Sequence, residues 1–207
     1  DISTQRMEAG INAVFVGTWN WNDCPGNWNS AGELLVVKRC IHTSADFDYA
    51  ENLYFSDHAV ERAIELLKAG ATIVTDTNMG MAGINKRALS ALNASVRCFM
   101  ADPDVAREAK ERGVTRAVVS MEHAGKLEGP VIFAVGNAPT ALIRLYEMIQ
   151  EGTISPAFII GAPVGFVNVV ESKELICGLD VPCIVARGRK GGSNIVAAIC
   201  NALMYQI

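Results

Sequence analysis

Histidine is scarce in this chain of 207 residues, occurring only at His42, His58 and His123. The six cysteines, Cys24, Cys40, Cys98, Cys177, Cys183 and Cys200, include no Cys-x-x-Cys pair and do not cluster with the histidines. A zinc site needs such clusters at ligand spacing, so no metal is expected. Four of the cysteines sit inside apolar runs, which reads as buried free thiols in a reducing cytosol. No apolar run approaches ~20 residues, which excludes a transmembrane helix. Asp1 to Gly10 lack the basic and apolar regions of a signal peptide, so the cytoplasm is the expected compartment. Charged residues make up 19% of the chain and the net charge is −4. That balance argues against non-specific nucleic-acid binding. Three further motifs are missing: GxxxxGK[ST], GxGxxG after a strand, and GxSxG. Their absence removes the usual signatures of nucleotide users and of α/β hydrolases.

Half of the residues are hydrophobic, enough for one large core without staples. A single domain over residues 1–207 is expected. Short apolar runs at Leu34–Cys40, Thr72–Thr75, Val96–Met100, Val131–Val135, Ala157–Ile160 and Pro182–Ala186 read as strands buried on both faces. Amphipathic segments alternate with them. Asp57 is placed to cap a helix carrying Val60, Ile64 and Leu67, with Gly70 at its end. Asp102-Pro103 opens another, ended by Gly113. Asn137-Ala138-Pro139 opens a third, and Gly191-Gly192-Ser193 precedes the last, through Ala202. This alternation predicts an α/β fold: a three-layer, doubly wound, mainly parallel sheet of Rossmann-like form with helices on both faces. Residues 18–32 differ, with Trp19, Trp21 and Trp28 among Asn, Gly and Pro. They read as an ordered aromatic loop packed on its own core, a partner subunit or a flat ligand.

Ligands of open parallel sheets bind beyond the carboxyl ends of the strands. His58 and His123 read as solvent-exposed helix residues. His42 follows the first expected strand, beside Arg39 and among small polar residues, where an imidazole can take and return a proton near neutral pH. Arg39, Arg116, Arg187, Arg189 and Lys190 near strand ends suit a ligand carrying several carboxylates. The residues alone thus give a small-molecule α/β protein favouring an anionic ligand, with one proton-transfer candidate.

Several strings together resemble the precorrin-8X methylmutase family. They are Val37-Lys38-Arg39-Cys40-Ile41-His42-Thr43, Val74-Thr75-Asp76-Thr77-Asn78-Met79-Gly80-Met81-Ala82-Gly83 and Thr115-Arg116-Ala117. Further on come Gly136-Asn137-Ala138-Pro139-Thr140-Ala141-Leu142, Gly161-Ala162-Pro163-Val164-Gly165-Phe166-Val167 with Glu171-Ser172-Lys173, and Gly188-Arg189-Lys190-Gly191-Gly192-Ser193. The agreement runs from about Val36 to the end.

The resemblance implies an isomerase of cobalamin (corrin) biosynthesis acting as a homodimer on an anionic corrinoid, with no external cofactor and no nucleic-acid or membrane partner. One methyl group moves from an alpha carbon to the adjacent beta carbon of ring C of precorrin-8X or cobalt-precorrin-8, giving hydrogenobyrinate or cobyrinate. The family's proton-carrying histidine matches His42, and its substrate-contacting arginine matches Arg39. Arg116, Asn137 and Thr140 are the further substrate-binding candidates, with Ser3 for a serine on the family's first helix. From Ser3 to Arg39 the Trp-rich stretch makes an unusually long separation. Two other readings stand beside the isomerase: a phosphate-using transferase, which would need a phosphate loop, and a non-catalytic corrinoid carrier, which would not need His42.

Overall fold

The computed structural model describes residues 30–207. Ser3 and the three tryptophans of the 18–32 loop lie outside the described residues. The strands are β1 (Leu53–Phe55), β2 (Thr72–Thr75), β3 (Ser95–Arg97), β4 (Val131–Val135), β5 (Phe158–Gly161) and β6 (Cys183–Ala186). They form one sheet in the order β1-β6-β5-β4-β2-β3. β1 runs antiparallel to β6 and every other pair is parallel.

The central strands are apolar on both faces because helices cover both. Ile132 and Ala134 of β4 and Phe158 and Ile160 of β5 pack into one core. The alternate residues Val131, Phe133, Val135 and Ile159 pack into the other. That is the period-2 alternation of a strand read in two apolar layers. The first layer is covered by α1 (Ala31–Ser44), α3 (Ala59–Lys68) and α10 (Ser193–Met204). The second is covered by α6 (Pro103–Arg112), α7 (Arg116–Ala124), α8 (Pro139–Gln150) and α9 (Val169–Cys177). Short helices α2 (Tyr49–Asn52), α4 (Asn78–Gly83) and α5 (Lys86–Ala91) fill the connections. The three-layer doubly wound expectation holds.

Four local expectations need correction. Leu34–Cys40 is not a strand but the middle of α1. Ser30 caps that helix by accepting the Glu33 N–H at 3.3 Å, and Val36, Val37, Cys40 and Ile41 bury one helical face. Their helical spacing, with the cap before it, outweighs the β preference of two valines. The strand expected at Val96–Met100 is Ser95–Arg97, and the chain leaves the sheet at Cys98. Asp57 is one residue too early to cap α3; His58 holds the cap position in a left-handed conformation without a side-chain bond. His58 is exposed as expected. His123 is not, because its Nε2 lies 2.8 Å from Glu108 Oε2 and the side chain is mostly covered.

Candidate active site

β2 connects outward to β3 while β4 connects the other way to β5, so the sheet reverses its winding between β2 and β4. At such a point the carboxyl ends of the strands part and leave a crevice. Asp76, the first residue past β2, fills it. Its carboxylate is only 1% exposed. Oδ1 accepts the Gly136 N–H at 2.8 Å, and Oδ2 accepts those of Asn137 at 2.8 Å and Ala138 at 2.7 Å. Ala138 is the cap residue of α8. The Asp76 carboxyl group therefore occupies the helix start where a nucleotide phosphate would sit in a dinucleotide fold. At this helix start the carboxyl group takes the backbone donors that a phosphate would need. Burial raises the Asp76 pKa, and the three N–H donors oppose that rise.

The neighbouring loops are laced to this point. Thr77 caps α4 through the Gly80 N–H at 3.0 Å and meets the Ser193 hydroxyl at 2.6 Å. Gly136 passes so close to α10 that a Cβ there would lie 2.9 Å from Ser193 Cα. A Cβ on Gly191 would fall 2.1 Å from the Ala162 carbonyl oxygen. Only glycine permits either approach. Gly192 N–H donates to that same carbonyl at 2.8 Å, tying the loop after β6 to the loop after β5.

α1 brings in the histidine. Gln206, just past α10, donates to the Gly32 carbonyl at 3.4 Å, so the start of α1 sits at the end of α10. The two helices run antiparallel, and the last turn of α1 rises towards the start of α10 and the strand carboxyl ends. His42 is on that turn and exposed. Ala45 ends the helix at φ 56°, its N–H on the Ile41 carbonyl at 2.7 Å. Just beyond, Asp46 and Asp48 take the Lys190 ammonium between them at 2.7 and 2.5 Å. That lysine holds the Asp46 carboxyl below its usual range.

On the far side of the crevice, Thr115 caps α7 and its hydroxyl lies 3.3 Å from that of Thr140. Arg116 is the first residue of α7 and is exposed, as is Asn137. The structure thus joins Asn137, Thr140 and the Arg116 turn around Asp76, and puts Arg39 and His42 one turn apart on α1. No hydrogen bond among the described residues links the two groups directly. They share the carboxyl edge of the sheet. Arg39 leans the other way: its guanidinium carbon is 5.8 Å from the Tyr205 ring centroid, beyond the end of α10. Side chains on a helix point back along it, which accounts for that direction. Its Nε is buried without a hydrogen-bond partner.

The expected cluster of strand-end cations is only partly available to a ligand. Arg187 forms a two-pronged pair with Glu174, and Lys190 is engaged by Asp46 and Asp48. Arg116 and Arg189 have no carboxylate partner among the described residues. Arg189 instead donates to the Phe166 carbonyl at 3.1 Å, with its guanidinium carbon 5.9 Å from that ring. Phe166 is 84% exposed, next to Val167 at 76%. An uncovered aromatic beside a guanidinium with no carboxylate partner among the described residues offers a face for an apolar ring and a charge for its rim. Sequence reasoning missed Phe166 and Asp76 as site residues, although both lie in the quoted strings. Two surface hollows lie elsewhere, near the amino ends of the strands. One is lined by Leu127, Pro130, Ile154 and Pro156, the other by Glu33, Asp57, His58 and Glu61. The second is acidic and does not suit a polycarboxylate.

Comparison with known proteins agrees with the fold. The sequence profile of the family described as precorrin-8X methylmutase matches residues 26–206. The chain is 44% identical over 173 residues to a Salmonella typhimurium protein named cobalt-precorrin-8 methylmutase, covering 83% of this chain and 80% of that one. It is 42% identical over 174 residues to a Pseudomonas aeruginosa protein named precorrin-8X methylmutase, with 83% and 82% covered. The solved precorrin-8X methyl mutase of Thermus thermophilus superposes with a TM-score of 0.80 at 41% identity, over 89% of each chain.

Proposed function

Because the chain belongs to the precorrin-8X methylmutase family and is an isomerase of cobalamin biosynthesis, we propose that it uses His42 to move a ring-C methyl group of an anionic corrinoid. The bond from the methyl to the alpha carbon breaks as the bond to the adjacent beta carbon forms. His42 gives a proton to the conjugated ring system and takes it back afterwards. Atoms and electrons balance within the substrate, and no outside oxidant or cofactor enters. A placed acid–base group contributes on the order of 10²–10⁴ in rate.

The observation that carries this reading is the exposed His42 on the last turn of α1, anchored at the carboxyl edge by the Lys190 bridge to Asp46 and Asp48. Around that edge, Arg116 and Arg189 pair with peripheral carboxylates, and Phe166 packs on the macrocycle. Asn137 and Thr140 donate or accept at the crevice. Arg39 swings from Tyr205 to a substrate carboxylate, which supplies the acceptor its Nε lacks. The protein works as a single domain, a homodimer in the cytoplasm. Adding precorrin-8X and its cobalt complex separately to the protein, without oxygen, tests the reading by absorbance. Conversion to the rearranged chromophore supports it. Tight binding without conversion favours the carrier, and no response from folded protein overturns the assignment of substrate.

A further inference from the structure

Lys173 is the most deeply buried cation among the described residues, with 0% of its surface exposed. It sits on α9, where a lysine would ordinarily face water. Its ammonium has no carboxylate partner; it donates instead to the backbone carbonyls of Gly188 and Lys190, both at 2.8 Å. These carbonyls belong to the loop between β6 and α10. The same Lys190 reaches the other way with its side chain, to Asp46 and Asp48 at the end of α1. Desolvation pushes the Lys173 pKa down to about 8, a cost that a residue needed only for packing would not incur.

We propose that Lys173 is a positioning residue: through the backbone and side chain of Lys190 it fixes the end of α1, and with it His42, against the carboxyl-edge loops. The brace has two links in series, Lys173 to the Lys190 carbonyl and the Lys190 ammonium to Asp46 and Asp48. Cutting either frees the same helix end. The inference rests on the reading of His42 as the proton-transfer residue. Displacing a reacting group by about 1 Å lowers turnover by up to ~10²-fold.

The test compares Lys173→Met, Lys190→Met and the double variant, each corrected for folded fraction, with His42→Ala alongside. Each single variant is expected to lose about 10- to 100-fold in kcat with KM within about threefold. The double variant is expected to be no worse than the worse single. Wild-type kcat in either folded single variant, or independent multiplying losses in the double, overturns the brace. If Lys173→Met does not fold, Lys190→Met still decides, since its side chain is half exposed. A His42→Ala enzyme that still turns over would instead sink the reading beneath the brace, whatever the lysine variants do.

Discussion

Replacing Asp76 with Asn puts the crevice to a quantitative test. The carboxylate spreads three backbone N–H donors over two oxygens, one on Oδ1 and two on Oδ2. The amide keeps its oxygen best where Oδ2 was, retaining the bonds from Asn137 and Ala138 in uncharged form. Its NH₂ then faces the buried N–H of Gly136, donor against donor. An unsatisfied buried donor costs about 1–3 kcal/mol. Weakening two charge-assisted bonds to neutral ones costs about 1 kcal/mol each. Removing a desolvated charge offsets part of this, leaving a net loss of about 2–3 kcal/mol. For a chain of this size that lowers Tm by roughly 5–10 °C. Thermal unfolding at pH 7, followed by circular dichroism, measures it. A fall of less than 2 °C would refute the claim that this carboxylate organises the start of α8. The burial-raised pKa adds a sign. A carboxyl whose folded pKa is raised contributes stability that is fully present below its unfolded pKa and lost as pH rises through the folded value. Asp76 is therefore no cause of acid unfolding, and Asp76→Asn leaves the acid limb in place.

Acid sensitivity should come instead from groups such as Glu122, held below its usual range by Arg112 and Arg144 and 13% exposed. Its contribution is present above the unfolded pKa and lost as pH falls through the folded one. Glu122→Gln should accordingly make Tm fall less steeply below about pH 4.5, and an unchanged slope would count against the triad. At the alkaline end, burial pushes Cys177 up to about 11 and Cys183 and Cys200 to about 12, and raises Cys40 further still. That stability is intact below about pH 9 and drains away as pH rises through these values. Urea midpoints should fall from pH 9 to 11, less steeply in Cys200→Ala; a flat wild-type profile would contradict the buried-thiol picture. Phe166→Ala should raise KM for the corrinoid about tenfold with little change in kcat, because it removes a packing face and no proton-transfer group. An unaltered KM would take Phe166 out of the site.

The central sheet was legible because β4, β5 and β6 are buried on both faces and so appear as near-continuous apolar runs. The turn chemistry of Asp102-Pro103 and of Gly113 placed α6 closely. α1 misled because the Val36-Val37 pair favours a strand, whereas its decisive features are the Ser30 cap and the four-residue return to Cys40 and Ile41. β1 left no signal: three residues on an edge, with no period to read. His42, Asn137 and Thr140 were singled out because the motifs put them near expected strand ends, although His42 lies on a helix. Asp76 could not be found by local reasoning. Its three partners lie about sixty residues away and meet it only because β2 and β4 pair. Lys173 looks like a helix-face cation until the loop after β6 folds over it.

The central claim is that this chain rearranges a corrinoid by proton transfer through His42. The direct measurement is the absorbance change of anaerobic precorrin-8X, or its cobalt form, with wild-type protein and with His42→Ala at matched concentrations. The account predicts conversion by the wild type. It predicts binding with turnover reduced by at least ~10²-fold in the variant. Conversion by His42→Ala at the wild-type rate would contradict it.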